Sequence, residues 1–340
     1  MRTYGITQTE DMAVVAGRRT YVDLEPGRSN RFLLVTIALT LTITAPVTSI
    51  LNLGSAAAVF DEMGLDDGGT VTAIGDPRSF EFASEFMRSS QGTRVRLTST
   101  AATAYNLVER IVVPFEYFFA GKPRETQYLN PNSQKKFRFF MTLNGTNSGL
   151  AKLVTGGTAA ITNVTVKVQQ AYDLGEIALP QFAPRWSELV AAVPVANAAQ
   201  VIELSPGKDW IRGITILQEG IAGGLVTDII TRLQLRWQDD FIIGQNGPVD
   251  YQQLASMQEF ESGGNVFAAN GGSIVHLNFQ THGRLTKIIE PRSDDVLRLV
   301  LDARPSVVAG AGSSQIKVLL HKLSRDVNAG VVDPVLQVAA

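Results

Sequence analysis

Histidines are the first residues to test for metal or acid–base chemistry. The chain has three, His276, His282 and His321, all in its second half. His276 and His282 are six residues apart, whereas a metal site would need a closer pair and a third ligand. The sequence therefore favours ordinary strand or loop histidines over a metal site. Because the first half has no histidine, a histidine-based active site duplicated in both halves is excluded.

Carboxylates are the second group that could do chemistry. They are densest in one acidic cluster, which is followed by Gly68-Gly69 and consists of Asp61, Glu62, Asp66 and Asp67. Oxygen ligands of this kind could hold calcium, but the alternation of an EF-hand loop is missing. A solvated turn is the better interpretation. The adjacent pairs Asp239-Asp240 and Asp294-Asp295 are typical of turns at the ends of strands.

Two other stretches resemble nucleotide or nucleic-acid sites. The run 310–314 (GAGSS) lacks the Gly-Lys-Ser/Thr ending of a phosphate loop, so it predicts a hairpin loop. The segment 135–140 (KKFRFF) interleaves basic and aromatic residues, as a base-stacking surface would. Strand alternation explains these phenylalanines as core residues more simply. A net charge of −2 also argues against binding to a polyanion.

The composition excludes several further classes of protein. There is no cysteine, which removes disulfides, thiol catalysis and cysteine-ligated metals. The chain of 340 residues is 45% hydrophobic and only 18% charged, so it is not a disordered protein. We expect no catalytic residue, no cofactor and no metal. Low charge on a folded chain indicates that much of its surface faces other protein.

One long apolar stretch could be mistaken for a membrane span. Residues 32–60 contain no charge. From 35 to 44, however, Val, Ile and Leu alternate strictly with Thr and Ala, which is the period of a strand and not of a helix. Ser55 and the residues up to Gly64 look like a short capped helix. The stretch therefore predicts a strand followed by a helix, rather than a transmembrane segment.

Other segments share the same two-residue period. They predict strands at 94–97, 137–143, 164–169, 231–238 and 297–302. Helices are few: one near 79–88 after Asp76-Pro77, and one over 248–262 with Tyr251, Leu254 and Met257 on one face. Many strands with one buried face predict an all-β protein, either a sandwich or a jelly roll.

The chain also repeats itself once, in three pairs of segments. Residues 21–28 (YVDLEPGR) match 201–208 (VIELSPGK), 180 residues later. NPNS before FRFF, in 130–140, matches EPRS before LRLV, in 290–300, at a separation of 160. VKV at 166–168 matches IKV at 316–318, at a separation of 150. Because the order is kept and the separations shrink smoothly, the sequence predicts two copies of one fold.

These copies define a domain organisation. We expect an N-terminal arm at 1–19, a first jelly roll at 20–175, a linker at 176–190, a second jelly roll at 191–326 and a C-terminal arm at 327–340. The linker is placed where Pro180 and Pro184 interrupt any periodicity. The fold class is therefore all-β, with two tandem eight-stranded jelly rolls and a few short helices.

Two similar β-sandwiches in tandem, with no cysteine and few charges, resemble the double jelly-roll major capsid proteins of tailless icosahedral viruses. That family includes tectiviruses, other membrane-containing phages and the adenovirus hexon. The resemblance covers about residues 20–325 and rests on the internal repeat. It implies a non-enzymatic coat subunit whose homotrimers are pseudo-hexagonal tiles of a virion shell assembled in the host cytoplasm.

The same resemblance implies partners. They are the chain itself, neighbouring trimers, minor capsid and penton proteins, and an internal viral membrane, without sequence-specific binding to nucleic acid. Two alternatives stay open from the residues. A tandem sandwich that binds carbohydrate or a receptor would show an exposed aromatic platform, yet Trp186, Trp210 and Trp237 fall in the linker or on strands. A cupin-type or glycan-processing enzyme would show a metal triad or paired catalytic carboxylates.

Overall fold

The structure is a computed structural model. It describes residues 4–9, 11–25, 30–67, 70–88, 94–115, 136–145, 150, 152–173, 183–204, 209–220, 223–238, 240–244, 247–261, 272–279, 296–307 and 314–324. In this part of the chain no helix is long and apolar enough to cross a membrane.

The first half forms two antiparallel sheets that face each other. Its strands are β1 (Tyr4–Gln8), β2 (Met12–Ala13), β3 (Arg19–Asp23), β4 (Asn30–Ala45), β5 (Ser49–Ile50), β6 (Phe60–Asp67), β7 (Thr70–Gly75), β8 (Ala104–Pro114), β9 (Phe137–Leu143), β10 (Val154–Thr155) and β11 (Thr158–Asp173). The order β1-β11-β4-β8, with β2 beside β11, makes the first sheet, called the β4 sheet below. The order β3-β9-β6-β7 makes the second, and β5 pairs with β10.

The second half repeats this arrangement. Its strands are β12 (Ala183–Val193), β13 (Asn197–Leu204), β14 (Trp210–Glu219), β15 (Ile230–Trp237), β16 (Asp240–Ile243), β17 (Val249–Asp250), β18 (Ile274–Asn278), β19 (Leu297–Ala303) and β20 (Ser314–Ser324). The order β12-β20-β14-β18 makes the β14 sheet, and β13-β19-β15-β16, with β17 beside β15, makes its partner.

Both halves have the connectivity of a jelly roll. If the short strands β2, β5, β10 and β17 are set aside, each half has eight strands, numbered one to eight along the chain. In each half strands one, eight, three and six lie side by side in one sheet, and strands two, seven, four and five in the other. The predicted fold class, two tandem eight-stranded jelly rolls, is confirmed.

The internal repeat corresponds to equivalent strands. The first pair of segments lies on β3 and β13, the second on β9 and β19, and the third on β11 and β20. Helix α1 (Pro77–Arg88) and helix α2 (Tyr251–Glu261) also occupy equivalent places, because each lies between the fifth and sixth strands of its jelly roll. Both predicted helices are therefore confirmed, and they are related by the repeat.

The strand alternation read from the sequence decides which side chains fill the core. On β4 every second residue from Leu33 to Ile43 is at most 3% exposed, while the threonines between them are partly accessible. This face belongs to one large hydrophobic cluster, and the inward residues of β14, β15, β19 and β20 form a second one. Burial of apolar surface in these two clusters is the main stabilising contribution to the fold.

Two local predictions are wrong. The segment 94–97 is not a strand, since only Val95 makes a β-bridge, to Val108. The predicted helix at 55–64 is limited to a single 3₁₀ turn, Ala56–Val59, capped by Ser55, and the residues after it belong to β6. Strand pairing of β6 with both β7 and β9 satisfies its backbone groups, and this outweighs a local preference for helix.

Described strands lie within the predicted linker and within the predicted N-terminal arm. Strand β12 pairs with β20 along its whole length, from Ala183 to Val193, and its residues up to 190 fall inside the expected linker at 176–190. Pro184 is compatible with this strand because β12 is at the edge of its sheet, where a missing N–H costs little. Strands β1 and β2 lie within the expected arm at 1–19. The segment 174–182 and the C-terminal arm at 327–340 lie outside the described residues.

Candidate assembly interface

The two jelly rolls meet where helix α1 lies on the outer face of the β14 sheet. Trp186 on β12 packs against Phe80 of α1 and against Phe115, with ring centroids 5.7 and 6.3 Å apart. Phe82 of α1 packs with Leu217 of β14 and Ile274 of β18. Trp186 of the second jelly roll thus packs against residues of the first. Phe82, Leu217 and Ile274 form an apolar patch of the contact, called the apolar floor below.

Gly75 allows this close approach. It is the last residue of β7, two residues before the start of α1. A Cβ atom there would lie 2.8 Å from the Phe80 ring and 2.9 Å from Leu319 Cδ1 of β20. Both distances are shorter than carbon–carbon contact, which is optimal at roughly 3.5–4.0 Å. The absence of a side chain at Gly75 therefore lets the first jelly roll sit against β20.

A buried ionic network lies beside the apolar floor. Asp76 caps helix α1 and pairs with Arg78, at 2.6 Å from Nη2, and with Lys317 of β20, at 2.8 Å. Arg78 also pairs with Glu219 of β14, whose carboxylate lies 3.1 Å from Lys317 Nζ. Two carboxylates and two cations thus alternate, two from each jelly roll. Asp76 and Arg78 are at most 2% exposed.

Hydrogen bonds to loop backbone extend the network. Arg78 Nη1 donates to Asn52 Oδ1 at 2.8 Å and to the Gly223 carbonyl at 2.7 Å. Asn52 Nδ2 donates to the same carbonyl at 2.9 Å, and Asn52 Oδ1 accepts from the Leu225 N–H at 3.1 Å. The bonds to the Gly223 carbonyl and from the Leu225 N–H join the two jelly rolls, and they therefore fix the relative orientation of the two halves.

The electrostatics of the network depend on the charge balance. Burial would raise the pKa of Asp76, but the nearby Arg78 and Lys317 outweigh it and hold that pKa well below its ordinary value. Glu188 of β12 accepts a hydrogen bond from the Asp76 backbone N–H at 2.9 Å and adds a third carboxyl to the network. Its burial, and then the charge of Asp76, raise the pKa of Glu188 to about 7. The network is thus electrically balanced when Glu188 is protonated.

Two histidines meet on the same sheet. β18 and β20 flank β14, and this brings His276 and His321 to either side of Thr215. Trp186 Nε1 donates to His321 Nδ1 at 3.2 Å, while Thr215 Oγ1 lies 2.8 Å from His321 Nε2 and 2.9 Å from His276 Nδ1. From the sequence, His276 was compared only with His282, which is six residues away. The pairing with His321 could not be predicted, because residues on neighbouring strands can be far apart in the chain.

The hydrogen bonds assign a direction and a charge to this chain of groups. His321 Nδ1 accepts from Trp186, so its Nε2 carries the proton and donates to Thr215, which in turn donates to His276 Nδ1. This order requires both rings to be neutral. Burial, together with Arg212, lowers the pKa of His276 to about 3. Burial lowers the pKa of His321 well below its usual value, with His276 and Arg212 adding to the effect.

A second buried carboxylate pair supports α1 from inside the first jelly roll. Glu109 of β8 pairs with Arg94 at 2.8 Å and with Arg96 at 3.1 Å, and Glu81 of α1 pairs with Arg96. The Ser55 hydroxyl lies 3.0 Å from both carboxylates but has one hydrogen to donate. A proton on Glu81 supplies the other, and burial and then Glu109 raise the pKa of Glu81 to about 7.

The acidic cluster proposed from the sequence is not a turn. Asp61, Glu62 and Asp66 lie on strand β6. Each has a basic partner: Lys152 Nζ at 2.7 Å from Asp61, Arg19 at 2.7 Å from Glu62, and Arg138 beside Asp66. Because these cations already neutralise the carboxylates, the cluster does not fit a calcium site. Among the described residues no group of three or more potential ligands could hold a metal ion.

Within the basic and aromatic segment, residues 137–140 belong to strand β9 and do not form a stacking surface. Phe137 and Phe139 are buried in the first core, as the alternation predicts. Phe140 is on the outer face, where Tyr21 covers it at 5.6 Å and the Arg19 guanidinium lies 4.4 Å above its ring. Residues 135, 239, 282, 294–295 and 310–313 lie outside the described part of the chain.

Comparisons with known proteins agree on the fold. No protein-family model matches the chain, and no curated protein matches it in sequence. Solved structures do. The crystal structure of the major capsid protein of STIV, the Sulfolobus turreted icosahedral virus, is similar with a TM-score of 0.66 and 13% identity, over 97% of this chain and 99% of that chain. The major capsid protein of bacteriophage PM2 has a TM-score of 0.59 and 11% identity, over 95% and 99%.

A quasi-atomic model of the PBCV-1 virus capsid is similar as well, with a TM-score of 0.61 and 11% identity, over 95% of this chain and 94% of that chain. All three matches span both jelly rolls and the contact between them. The double jelly-roll fold is therefore shared along nearly the whole length of the chain, although few residues are identical.

Proposed function

We propose that this chain is the major coat subunit of an icosahedral virus, in which three copies form a pseudo-hexagonal tile and the tiles form the shell. One observation carries the proposal. The two jelly rolls are equivalent in strand order, and α1 of the first is docked on the β14 sheet of the second. A ring of three such chains presents six similar jelly rolls, which is the shape that a hexagonal lattice requires.

The rest of the molecule supports a structural role. The buried charges at the contact are paired with each other across the two halves and stabilise their orientation. The near-neutral net charge of −2 lets identical tiles pack with little repulsion. The solved structures named above are capsid proteins that share the fold. We therefore propose a non-enzymatic role, with the virion shell as location and with other copies of the chain, minor capsid proteins and an internal membrane as partners.

The competing role as a carbohydrate-binding module has less support. Trp186 is buried under Phe80, and Trp210 and Trp237 are only partly accessible within their sheets. They do not form the exposed aromatic platform on which sugars stack.

Solution mass tests the proposal directly. We expect light scattering coupled to size exclusion to give a species of three times 36.7 kDa, or larger closed particles. Electron microscopy of the same sample should show hexagonal tiles or shells. A monomer at every concentration would contradict the proposed function, because the tile needs three chains.

A further inference from the structure

The internal repeat relates a covered surface to an accessible one. Lys317 lies directly opposite Leu217 across β20 and β14. Lys167 lies directly opposite Thr36 across β11 and β4, and the two lysines are also the central residues of the repeated segments at 316–318 and 166–168. They are therefore equivalent. Lys317 is 10% exposed and paired with Asp76, whereas the Lys167 side chain is 46% exposed.

The helices supply the acidic side of the same relation. Asp76 caps α1, since its carboxylate accepts the Arg78 N–H at 2.9 Å. Asp250 immediately precedes α2, and its carboxylate accepts the Gln253 N–H at 3.0 Å, so it is the cap of that helix. Asp250 is exposed. One cap thus has a lysine from the other jelly roll, and the equivalent cap has no such partner among the described residues of its own chain.

We propose that the first turn of α2 docks on the outer face of the β4 sheet of a second copy of this chain, with Asp250 paired to Lys167 of the second copy. The contact repeats between copies the one that α1 makes within a chain. It is head-to-tail, and a contact of this kind forms a ring when the rotation between successive copies closes after a whole number of chains. The inference rests on the proposed function, which sets that number at three.

The residues that the two helices present also match the polarity of the sheet surfaces they face. Counted from the helix caps, Phe82 of α1 is equivalent to Ser256 of α2. Phe82 packs with Leu217 and Ile274, and the residues at the equivalent register positions of the β4 sheet are Thr36 and Arg110. An apolar side chain thus faces apolar ones within the chain, and a polar side chain would face polar ones between chains.

The next pair of positions agrees as well. Arg78 of α1 is equivalent to Gln252 of α2, and Glu219, which pairs with Arg78, is equivalent in register to Ala38. At this position Arg78 of α1 meets the opposite charge of Glu219 on the β14 sheet. At the equivalent position the uncharged Gln252 of α2 would meet the uncharged Ala38 on the β4 sheet. Complementarity at three separate positions favours a second copy as the occupant of the β4 sheet.

The present partner of Lys167 does not prevent the contact. Lys167 Nζ lies 3.3 Å from Asp11, and both side chains are about half exposed, at 46% and 50%. Exposed pairs of this kind contribute little, since solvent and salt screen them. Exchange of Asp11 for Asp250 moves Lys167 into a contact from which water is excluded, where a charge pair contributes more.

Charge reversal tests the proposal. We expect Lys167→Glu and Asp250→Lys each to raise the apparent dissociation constant of the trimer by about tenfold or more, and the double variant to restore much of the loss. The matched control is the exposed pair Arg298 and Glu203 on the opposite sheet of the second jelly roll, 3.5 Å apart. Its single and double reversals should leave the trimer mass unchanged. Urea unfolding of each variant verifies that the fold is intact.

Crosslinking gives an independent readout, because the natural chain has no cysteine. In the double variant Thr36→Cys and Ser256→Cys, a short bis-maleimide should link each chain to the next and yield a covalent trimer. Either single variant should yield none. This docking mode would be overturned if the wild-type chain is a trimer, the charge-reversed variants remain equally trimeric, and the double cysteine variant gives no covalent trimer. That result would leave the proposed function standing. A wild-type chain that stays monomeric would contradict the proposed function itself.

Discussion

Acidification should weaken the second jelly roll through the buried chain Trp186–His321–Thr215–His276. A proton added to His276 Nδ1 would point at the Thr215 hydroxyl, which already accepts from His321 Nε2 and donates to His276. The hydroxyl would then accept from both rings, and its own hydrogen would be left without an acceptor in this chain of groups. The charged ring would also lie near Arg212, which already contributes to the low pKa of His276.

The sign of the effect follows from the two pKa values of His276. Its pKa is about 3 in the folded chain and about 6.5 in an unfolded one. Between these values the unfolded chain binds more protons, so the free energy of unfolding falls as pH falls. The stabilisation is complete above pH 6.5 and decreases towards pH 3. Between pH 7.5 and pH 5.0 the loss is about 2 kcal/mol for His276, and His321 changes stability in the same direction.

Two carboxyls oppose this trend and have to be separated from it. The folded-state pKa values of Glu81 and Glu188 are raised to about 7, so their stabilising contribution is present at low pH and is lost as pH rises through 7. Comparison of wild type with His276→Gln at each pH cancels their contribution. Urea unfolding, followed by tryptophan fluorescence, gives the free energy of unfolding of both chains.

We expect His276→Gln to be less stable than wild type at pH 7.5, because it disturbs the contact with Thr215, and the difference to shrink by about 2 kcal/mol at pH 5.0. Above pH 7.5 the two stability curves should run parallel. Parallel curves down to pH 5.0 would refute the reasoning, since they would mean that His276 takes up a proton in the folded chain as readily as in the unfolded one.

Three further outcomes follow from the contact between the jelly rolls and from the buried carboxylates that support helix α1. Gly75→Val should lower the free energy of unfolding by about 1–3 kcal/mol in a urea titration, because its side chain has no space. Arg78→Met should cost about 3–5 kcal/mol in the same titration, since it leaves the buried carboxylates of Asp76 and Glu219 with Lys317 as their one shared cation. Arg19→Met, at the partly exposed pair with Glu62, should cost about 1 kcal/mol or less. Glu81→Gln should be nearly neutral in thermal unfolding at pH 6, because an amide resembles the protonated acid, whereas Glu109→Gln should lower the melting temperature by several degrees; equal losses would contradict the assignment of the proton to Glu81.

The strands were the most predictable part of the fold. Alternation on β4, β9, β11, β15 and β19 reflects one buried face, which is a property of the residues themselves. The repeat could be found because a turn and a core position constrain the same residue types in both copies. The predictions for 55–64 and 94–97 were wrong because contacts with distant residues, and not the local pattern, decide the backbone there. At 60–64 the contact is strand pairing with β9, and at Arg94 it is an ion pair with Glu109.

The contact between the jelly rolls was not predictable from spacing. Asp76, Arg78, Glu219 and Lys317 come from a helix start and two strands, and only the folded sheets bring them together. One signal was present. Lys317 interrupts the apolar run of β20 at the same place where Lys167 interrupts β11, and a lysine in the centre of a strand needs a buried acidic partner or an accessible face. From the sequence, the two lysines were recognised only as members of the repeated segments at 166–168 and 316–318.

The order of strands in each sheet has a consequence for the kinetics of folding. In both halves the strand made last, β11 or β20, lies between the first and the third, so it pairs with residues as distant as Tyr4 with Asp173 and Ala183 with Ser324. Neither core can close before its last strand has been synthesised, and closing such long loops is slow. Since Lys317 lies on β20, the two halves join only after the second has folded. Chains cut short before residue 314 should therefore expose the edges of β12 and β14 and aggregate.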